Sequence, residues 1–188
     1  MSDNPKLVLL FSGKRKSGKD YITGIIHNYL GKDKSEIIRI SQPIKAHWAA
    51  QKSLDLEQLL SDGEYKESFR KDMIEWSDRV RNEDYGYFCK VACQAISRPI
   101  CIVSDIRRNT DIKWFIEKYG AKVITIRINC SKCIRESRGW KFTEGVDDVA
   151  SECDLDNYEN WDFVLVNNNE TTTEELIQPV IDLVKKFM

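Results

Sequence analysis

The sequence predicts an α/β fold in which helices cover both faces of a five-stranded parallel sheet. Two observations lead to this prediction. Five short apolar runs, three of them rich in β-branched residues, recur along the chain with helical patterns between them. A glycine-bounded loop directly follows the first run, which gives the order strand, loop, helix of a phosphate-binding motif. Such alternation is typical of a sheet whose ligand site lies at the carboxyl ends of the strands.

The five apolar runs are the predicted strands, at residues 7–11, 37–40, 100–103, 123–128 and 163–166. Helical patterns occur at about 18–30, at 110–119 and in the C-terminal segment. In the second of these helices we expect Thr110 to cap the start and Gly120 to end it. Its apolar face is predicted to consist of Ile112, Phe115, Ile116 and Tyr119.

The C-terminal helix has a capping-box pattern, Thr172 followed by Glu175. Its expected apolar stripe is Leu176, Val180, Leu183, Val184 and Phe187. Pro179 interrupts this pattern because proline lacks a backbone N–H. We therefore expect a kink there, or a helix that starts late, near residue 178.

The interval from about 44 to 97 is too long for a simple crossover and predicts a helical insert over the edge of the sheet. Aromatic and aliphatic residues recur in it at helical spacing: Tyr65, Phe69, Met73, Trp76 and Val80. Basic residues are interleaved with them: Lys66, Arg70, Lys71, Arg79 and Arg81. These cations either face a ligand or form an ordinary solvated surface, and the pattern leaves both interpretations open.

The length of 188 residues and the hydrophobic content of 41% predict a single folding unit, residues 1–188. Twenty-nine basic and thirty acidic residues nearly cancel, so anion binding must come from local clustering, and nucleic acid is disfavoured as the main partner. The polar residues 1–6 and the short apolar run after them fit neither a signal peptide nor a membrane span. We therefore expect a soluble intracellular protein.

Six cysteines, at positions 89, 93, 101, 130, 133 and 153, are expected to be free thiols in that setting. Cys130 and Cys133 form one C-x-x-C pair. A structural zinc site needs a second pair of ligands, and the two histidines lie far away in the sequence. The spacing therefore disfavours a zinc or redox function.

Residues 13–20 read Gly-Lys-Arg-Lys-Ser-Gly-Lys-Asp. This G-x-x-x-x-G-K pattern predicts a loop whose backbone N–H groups bind the phosphates of a nucleoside triphosphate, with Lys19 bridging the outer phosphates. The next position usually holds Ser or Thr, whose hydroxyl helps to bind Mg²⁺, but here it is Asp20, whose carboxylate can hold the ion directly or through water. The alternative is a surface basic cluster that binds nucleic acid or serves as a nuclear address.

The loop contains more cations than one triphosphate tail requires, namely Lys14, Arg15, Lys16 and Lys19, and this excess indicates a second anion nearby. The third predicted strand is followed by Ser104-Asp105-Ile106-Arg107-Arg108, at the same edge of the sheet. Asp105 either orients Mg²⁺, as a carboxylate at this place does in such folds, or caps the following turn. Arg107 and Arg108 suit bidentate capture of phosphate or carboxylate.

Arg135 and Arg138 lie three residues apart, on one side of a predicted short helix that Gly139 can end. We interpret them as a mobile arginine lid that closes over the transferring phosphoryl group and excludes water. The acidic stretch after the lid is either solvated or pairs with the lid arginines; its members are Asp147, Asp148, Glu152, Asp154 and Asp156.

The motifs include no histidine, and no acid stands out as a general base for a neutral alcohol. A phosphate monoester needs no such base, because its second pKa of about 6 leaves the attacking oxygen ionised at neutral pH. The remaining difficulty is the repulsion between two anions, which fixed cations and Mg²⁺ relieve. The sequence therefore predicts phosphate-to-phosphate transfer.

Four stretches together resemble the animal-type phosphomevalonate kinases: LVLLFSGKRKSGKD at 7–20, YKESFRKDMIEWSDRVR at 65–81, VSDIRRNTDIKWFIEKYGA at 103–121 and RGWKFTEGVDDVASECDLDN at 138–157. Asp20 is part of that family's motif. The resemblance implies a three-layer P-loop kinase fold like that of nucleoside monophosphate kinases, with a substrate-binding helical insert at about 44–97 and a short arginine lid at about 130–145. It also implies phosphoryl transfer from ATP to 5-phosphomevalonate, in the mevalonate route to isoprenoids and sterols.

The resemblance also implies roles by position. The implied catalytic residues are Lys14, Arg15, Lys19, Arg107 and Arg138. The implied ATP contacts are Gly13, Lys14, Arg15, Lys16, Ser17, Gly18, Lys19, Asp20 and Asn168. The implied substrate contacts are Arg81, Arg107, Arg108, Arg138 and Asn167, and the candidate Mg²⁺ ligands are Asp20 and Asp105.

The implied cofactors are ATP and Mg²⁺, and we expect a monomer that acts on small molecules and binds neither nucleic acid nor membrane. Members of the family often end in a peroxisomal tripeptide, whereas this chain ends Lys186-Phe187-Met188, so we expect a cytosolic location.

Three alternative functions are considered. A nucleoside monophosphate kinase would differ only in its acceptor pocket. A P-loop GTPase would need N-K-x-D and D-x-x-G strings, which the sequence lacks. A catalytically inactive binding module fits poorly with the presence of Lys19, Asp105 and Arg138.

Overall fold

The computed structural model describes residues 5–61 and 64–187. Five parallel strands form one sheet in the order β2-β3-β1-β4-β5. The strands are β1 Leu7–Gly13, β2 Ser35–Ile38, β3 Ile100–Val103, β4 Val123–Asn129 and β5 Phe163–Val166. All five predicted strands are confirmed, and β3 and β5 have the predicted bounds. The terminal Met188 lies outside the described residues.

Helices connect the strands. Between β1 and β2 lies α1 Lys19–Leu30, and between β2 and β3 lie α2 Ser41–Lys52, α3 Leu56–Leu60, α4 Glu64–Glu83 and α5 Tyr87–Cys93. The later helices are α6 Asn109–Tyr119, α7 Lys132–Ser137, α8 Ala150–Cys153 and α9 Thr173–Lys185. None of the helices within the described ranges is both long and apolar enough to cross a lipid bilayer. All six cysteines carry free thiols.

The central strand β1 divides the core into two layers. Its side chains alternate, so Leu7 and Leu9 lie on one face of the sheet while Val8 and Leu10 lie on the other, and all four are 0% exposed. The first face packs against α1 and α9, and the second packs against α5 and α6. Helices therefore cover both faces of the sheet, as the alternating pattern predicts.

Parallel pairing of β1 with β3 and β4 brings the carboxyl ends of three strands to one edge of the sheet. Gly13 at the end of β1 pairs with Ile128 of β4, and Leu10 pairs with Val103, the last residue of β3. The phosphate-loop motif and the Ser104–Arg108 segment, which are far apart in sequence, consequently meet at this edge.

The predicted helical insert corresponds to α2–α5. It has its own small core of Trp48, Ala49, Leu59 and Met73, against which Tyr65, Phe69 and Trp76 pack. Trp76 also packs against the sheet-side core and stacks edge-on against Phe88 with ring centroids 5.6 Å apart. Trp76 therefore joins the small core of the insert to α5, which packs directly against the sheet.

The start of α6 differs from its prediction. Residue Arg108, not Thr110, occupies the capping position, and the Asp111 carboxylate accepts the backbone N–H groups of Arg107 and Arg108. Gly120 ends the helix with a φ of 58°, as predicted. Ile112 and Phe115 are buried, but Ile116 is 47% exposed, because the buried side of the helix consists of Asp111, Ile112, Trp114 and Phe115.

For α9 the sequence predicted either a kink at Pro179 or a late start. The helix begins at Thr173 with the predicted Thr172–Glu175 capping box and continues through Pro179 to Lys185, so a start near residue 178 is wrong. Its buried residues are Ile177, Val180, Ile181 and Val184. The predicted Phe187 is exposed, because the inner face is set by Ile177 and Ile181 and not by Leu183 and Phe187.

Gly86 provides a test of how tightly the insert packs against α6. A Cβ atom added at Gly86 would lie 2.3 Å from Trp114 Cδ1, whereas one added at Gly24 in α1 would meet nothing within 4 Å. We expect Gly86→Ala to lower the free energy of unfolding by about 1–3 kcal/mol through overpacking. Gly24→Ala should raise it by up to about 1 kcal/mol, because alanine favours helix. Urea denaturation measures both, and equal effects of the two substitutions would contradict the close packing of Trp114.

Candidate active site

The phosphate loop connects β1 to α1 in a conformation that depends on its glycines. Gly18 has a φ of 87°, and a Cβ atom there would lie 2.3 Å from Asn167 Nδ2. A Cβ atom at Gly13 would lie 2.6 Å from Ser17 Oγ. The Ser17 hydroxyl is buried and has no hydrogen-bond partner among the described residues. The backbone carbonyl of Ser17, in contrast, accepts a hydrogen bond from Asn167 Nδ2 at 2.8 Å. The residue that follows β5 therefore stabilises the loop.

Lys19, the lysine of the motif, lies at the base of the loop and is 7% exposed. Its ammonium donates to the backbone carbonyl of Ser104 and lies 3.1 Å from Asp20 Oδ1. Ser104 directly follows β3, so the β1–β3 pairing brings this lysine to the residues at the end of β3. The structure therefore joins the two motifs that the sequence singled out.

Asp105 is 5% exposed and holds the start of α2. Its two carboxylate oxygens accept the backbone N–H groups of Ile40 at 2.7 Å and Ser41 at 3.0 Å. Burial by itself would raise the pKa of Asp105, but Lys19, Ser41 and Arg107 outweigh it and lower the pKa below the ordinary value. Asp105 is therefore an ionised carboxylate that caps the start of α2. The sequence had suggested that it caps the turn that follows Asp105 itself.

The carboxylates near the loop fit a Mg²⁺ ion that is held mainly by phosphates. Mg²⁺ typically uses one or two protein carboxylates together with substrate phosphates and water. Asp20 is exposed beside Lys19, and Asp105 keeps free lone pairs on its oxygens. No cluster of three or more His, Cys, Asp or Glu residues that could hold a metal ion occurs in residues 5–61 and 64–187.

A cleft of about 950 Å³ separates the phosphate loop from the insert. Eleven of the described residues that line it are lysines or arginines, and four are acids. The cations are Lys14, Arg15, Lys16, Lys19, Arg39, Lys45, Lys66, Arg70, Arg81, Arg107 and Arg108. Neither histidine borders the cleft. The site is therefore strongly cationic although the whole chain is almost neutral.

Arg81, Arg107 and Arg108 form one group of cations in the cleft, which we call the β3 group. Each member has a carboxylate partner: Arg81 pairs with Asp111 at 2.6 Å, Arg107 with Glu152 and Arg108 with Asp78. Burial by itself would lower the pKa of Arg107, but Glu152, Asp105 and Asp20 together raise it. The resemblance implied that these three arginines contact the substrate together with Arg138 and Asn167, and the structure brings the three to one cleft.

Arg39, Lys45, Lys66 and Arg70 form a second group, which we call the insert group. Arg39 and Lys45 were not predicted. The strand predicted at 37–40 includes Arg39, whereas β2 ends at Ile38, so that Arg39 follows β2 as Ser104 follows β3. The sequence left the role of Lys66 and Arg70 open, and both line the cleft. Burial and the neighbouring Lys66 lower the pKa of Lys45 to about 8, although Asp105 opposes the shift.

Arg138 lies beside the phosphate loop but is not among the residues that line the cleft. Its guanidinium donates to the Ser17 carbonyl at 3.2 Å, the Asn167 carbonyl at 3.2 Å and Asn169 Oδ1 at 2.7 Å. Asn168, predicted as an ATP contact, accepts the Ser131 backbone N–H at 2.8 Å and so fixes the start of α7. The arginine predicted to face the acceptor thus lies between the loop and the residues that follow β5, next to Gly139, which does line the cleft.

The acidic stretch after α7 pairs with cations other than the lid arginines. Asp147 pairs with Arg15 at 2.9 Å and Asp156 with Lys14 at 2.5 Å, while Glu152 holds Arg107. The sequence left open whether this stretch is solvated or pairs with Arg135 and Arg138, and the second alternative is wrong. Arg135 instead lies over the Trp140 ring, 4.2 Å from its centroid.

Two solved structures show the same fold. A shikimate kinase from Aquifex aeolicus has a TM-score of 0.54 and 13% sequence identity, over 95% of this chain and 96% of that chain. The APS kinase of Mycobacterium tuberculosis, in complex with AMPPNP and APS, has a TM-score of 0.52 and 14% identity, over 95% of this chain and 97% of that chain. The predicted three-layer P-loop kinase fold is confirmed.

The structural matches show the fold, and sequence similarity shows the family. A family model described as phosphomevalonate kinase matches residues 11–121. A phosphomevalonate kinase of Drosophila melanogaster is 53% identical over 182 residues, which cover 94% of this chain and 93% of that protein. The chain belongs to the phosphomevalonate kinase family.

Proposed function

We propose that the cleft between the phosphate loop and the insert binds 5-phosphomevalonate against the γ-phosphate of ATP. Phosphoryl transfer to the acceptor phosphate then gives 5-diphosphomevalonate and ADP. The observation that carries the proposal is the cleft itself, in which Lys19 and ten further cations surround a space without a histidine. A cytosolic location and a monomeric state stay predictions.

The attacking group is proposed to be a phosphate oxygen. A neutral alcohol would need a base within reach, whereas a phosphate monoester is already ionised at neutral pH, since its second pKa is about 6. The site then has to position two anions and neutralise their charge. The eleven cations of the cleft suit that task.

The nucleotide is proposed to lie over the phosphate loop. Its phosphates would meet the loop N–H groups, the N-terminus of α1 and Lys19. The position of Arg138 between Ser17 and Asn167 favours a contact with ATP over the substrate contact that the sequence suggested. Arg138 would thereby stabilise charge from the donor side of the reaction.

The acceptor is proposed to use both groups of cations. Phosphomevalonate carries a phosphate at one end and a carboxylate at the other, and the β3 and insert groups supply one set of cations for each end. Ile44, Met73 and Ile74 line the same cleft and suit an aliphatic chain between the two anions. In a nucleoside monophosphate kinase, four cations of the insert group would face a neutral base, so the structure favours the acceptor with two anionic ends.

We propose that Asp20 and Asp105 would help to hold Mg²⁺ when ATP is bound, because Mg²⁺ typically takes one or two protein carboxylates together with phosphates and water. When bound, the ion neutralises part of the phosphate charge. Lys19 would contact the transferring group, because its ammonium is fixed at the base of the loop by the Ser104 carbonyl.

The function is tested by measuring ADP release with purified protein, ATP and Mg²⁺. We expect turnover with 5-phosphomevalonate and none with mevalonate, AMP, CMP or UMP, because only the first offers a phosphate and a carboxylate together. Lys19→Met, with its fold verified by circular dichroism, is the background control. Turnover with a nucleoside monophosphate but not with phosphomevalonate would refute the assignment.

Arg138→Met tests the donor-side position of that arginine. Loss of a charge-assisted contact costs about 1.5–3 kcal/mol, so we expect the KM for ATP to rise about 10- to 100-fold. The KM for phosphomevalonate should change little. Lys132→Met, an exposed substitution on α7, is the matched control. A selective rise of the acceptor KM would place Arg138 at the acceptor, as the sequence suggested.

Lys45 predicts a pH dependence of acceptor binding. With a pKa of about 8, the Lys45 side chain is largely protonated and positively charged at pH 7 and largely neutral at pH 9. The acceptor phosphate keeps its charge across this range. We therefore expect the acceptor KM to rise about tenfold from pH 7 to pH 9, since only the protonated form attracts an anion. Steady-state kinetics should show this rise in Lys52→Met, a control at the exposed end of α2, and not in Lys45→Met.

A further inference from the structure

Asp111 is a fully buried carboxylate, 0% exposed, in the first turn of α6. A buried charge is costly unless hydrogen bonds and opposite charge compensate it. Asp111 does not line the cleft, so its compensation comes from the protein itself. Its partners therefore indicate what the charge is used for.

The partners of Asp111 include all three arginines of the β3 group. Its Oδ2 atom accepts the backbone N–H groups of Arg107 and Arg108, both at 3.0 Å. Its Oδ1 atom lies 2.6 Å from Nη1 of Arg81 and 3.7 Å from the Cys89 thiol. One carboxylate thus holds the main chain that carries two arginines and the side chain of the third.

These arginines come from separate elements, so their spacing depends on a contact that the elements share. Arg81 lies on α4 of the insert, and Arg107 and Arg108 lie in the turn between β3 and α6. Arg107 and Arg108 have further side-chain partners in Glu152 and Asp78, whereas Asp111 is the carboxylate that pairs with Arg81 among the described residues. Arg81 also lies over the Phe88 ring, 5.3 Å from its centroid, which limits where its guanidinium can move.

We infer that Asp111 is a positioning residue for the reaction, which sets the spacing of Arg81, Arg107 and Arg108 so that the three can hold one anionic end of the acceptor. Asp111 itself does not touch the substrate. The inference rests on the proposed function, because it assigns the β3 group to the acceptor. It predicts that changing a residue outside the cleft alters acceptor binding selectively.

Asp111→Asn is the most direct variant. An amide has one acceptor oxygen and one NH₂ group, so in either orientation an N–H of the new side chain would face another donor. We expect kcat/KM for phosphomevalonate to fall 10- to 100-fold while the KM for ATP stays within about threefold. Asp72→Asn, an exposed change on α4, should leave both values unchanged.

A double-mutant cycle separates positioning from a loss of stability. If Asp111 acts through Arg81, the effects of Asp111→Asn and Arg81→Met on kcat/KM will be less than additive in the double variant. A purely structural role would reduce the amount of folded enzyme, leave both KM values unchanged and give additive losses. Kinetics are measured below the unfolding transition of each variant, which thermal circular dichroism locates.

The outcomes distinguish a failure of the positioning role of Asp111 from a failure of the proposed function. A wild-type chain that turns over phosphomevalonate, together with an Asp111→Asn variant whose acceptor kinetics match it, would overturn the positioning role alone. Equal rises in the KM values for ATP and acceptor would also overturn it. A wild-type chain inactive on phosphomevalonate would instead overturn the proposed function.

Discussion

Electrostatic repulsion is the constraint on which this site depends. Two anions can meet only where cations offset their charge, and eleven lysines and arginines line the cleft that we propose holds both. Those cations repel one another, so carboxylates such as Asp111, Glu152, Asp147 and Asp156 pair with several of them. Removing one partner of a buried pair leaves an uncompensated charge. The positions of the cleft cations therefore depend on acids that the ligands do not need to contact.

The sequence predicts the parts of this arrangement that are encoded locally. A continuous apolar run gives a buried strand, and the G-x-x-x-x-G-K pattern gives the loop after it, so β1, α1 and the position of Lys19 follow from adjacent residues. Arg107 and Arg108 were predictable because parallel strands place their carboxyl ends at one edge. The resemblance to a known family supplied the acceptor, which no spacing of residues identifies.

The remaining features depend on packing between distant segments, which a linear pattern does not contain. Arg138 lies beside Ser17 because the end of β5 provides the Asn167 and Asn169 acceptors, and the short helix pattern alone did not indicate that direction. Likewise α9 continues through Pro179, since its apolar face against the sheet outweighs one lost hydrogen bond.

The placement of the insert between β2 and β3 has an evolutionary consequence. Arg39, Lys45, Lys66 and Arg70 all belong to one uninterrupted stretch of chain, whereas the proposed nucleotide side draws on the phosphate loop, Arg138 and the residues after β5. In the proposed arrangement, substitutions confined to that stretch change the cations at one end of the acceptor and leave the ATP contacts unaltered. In a fold divided in this way, acceptor specificity can change during evolution while the ATP-binding residues are retained.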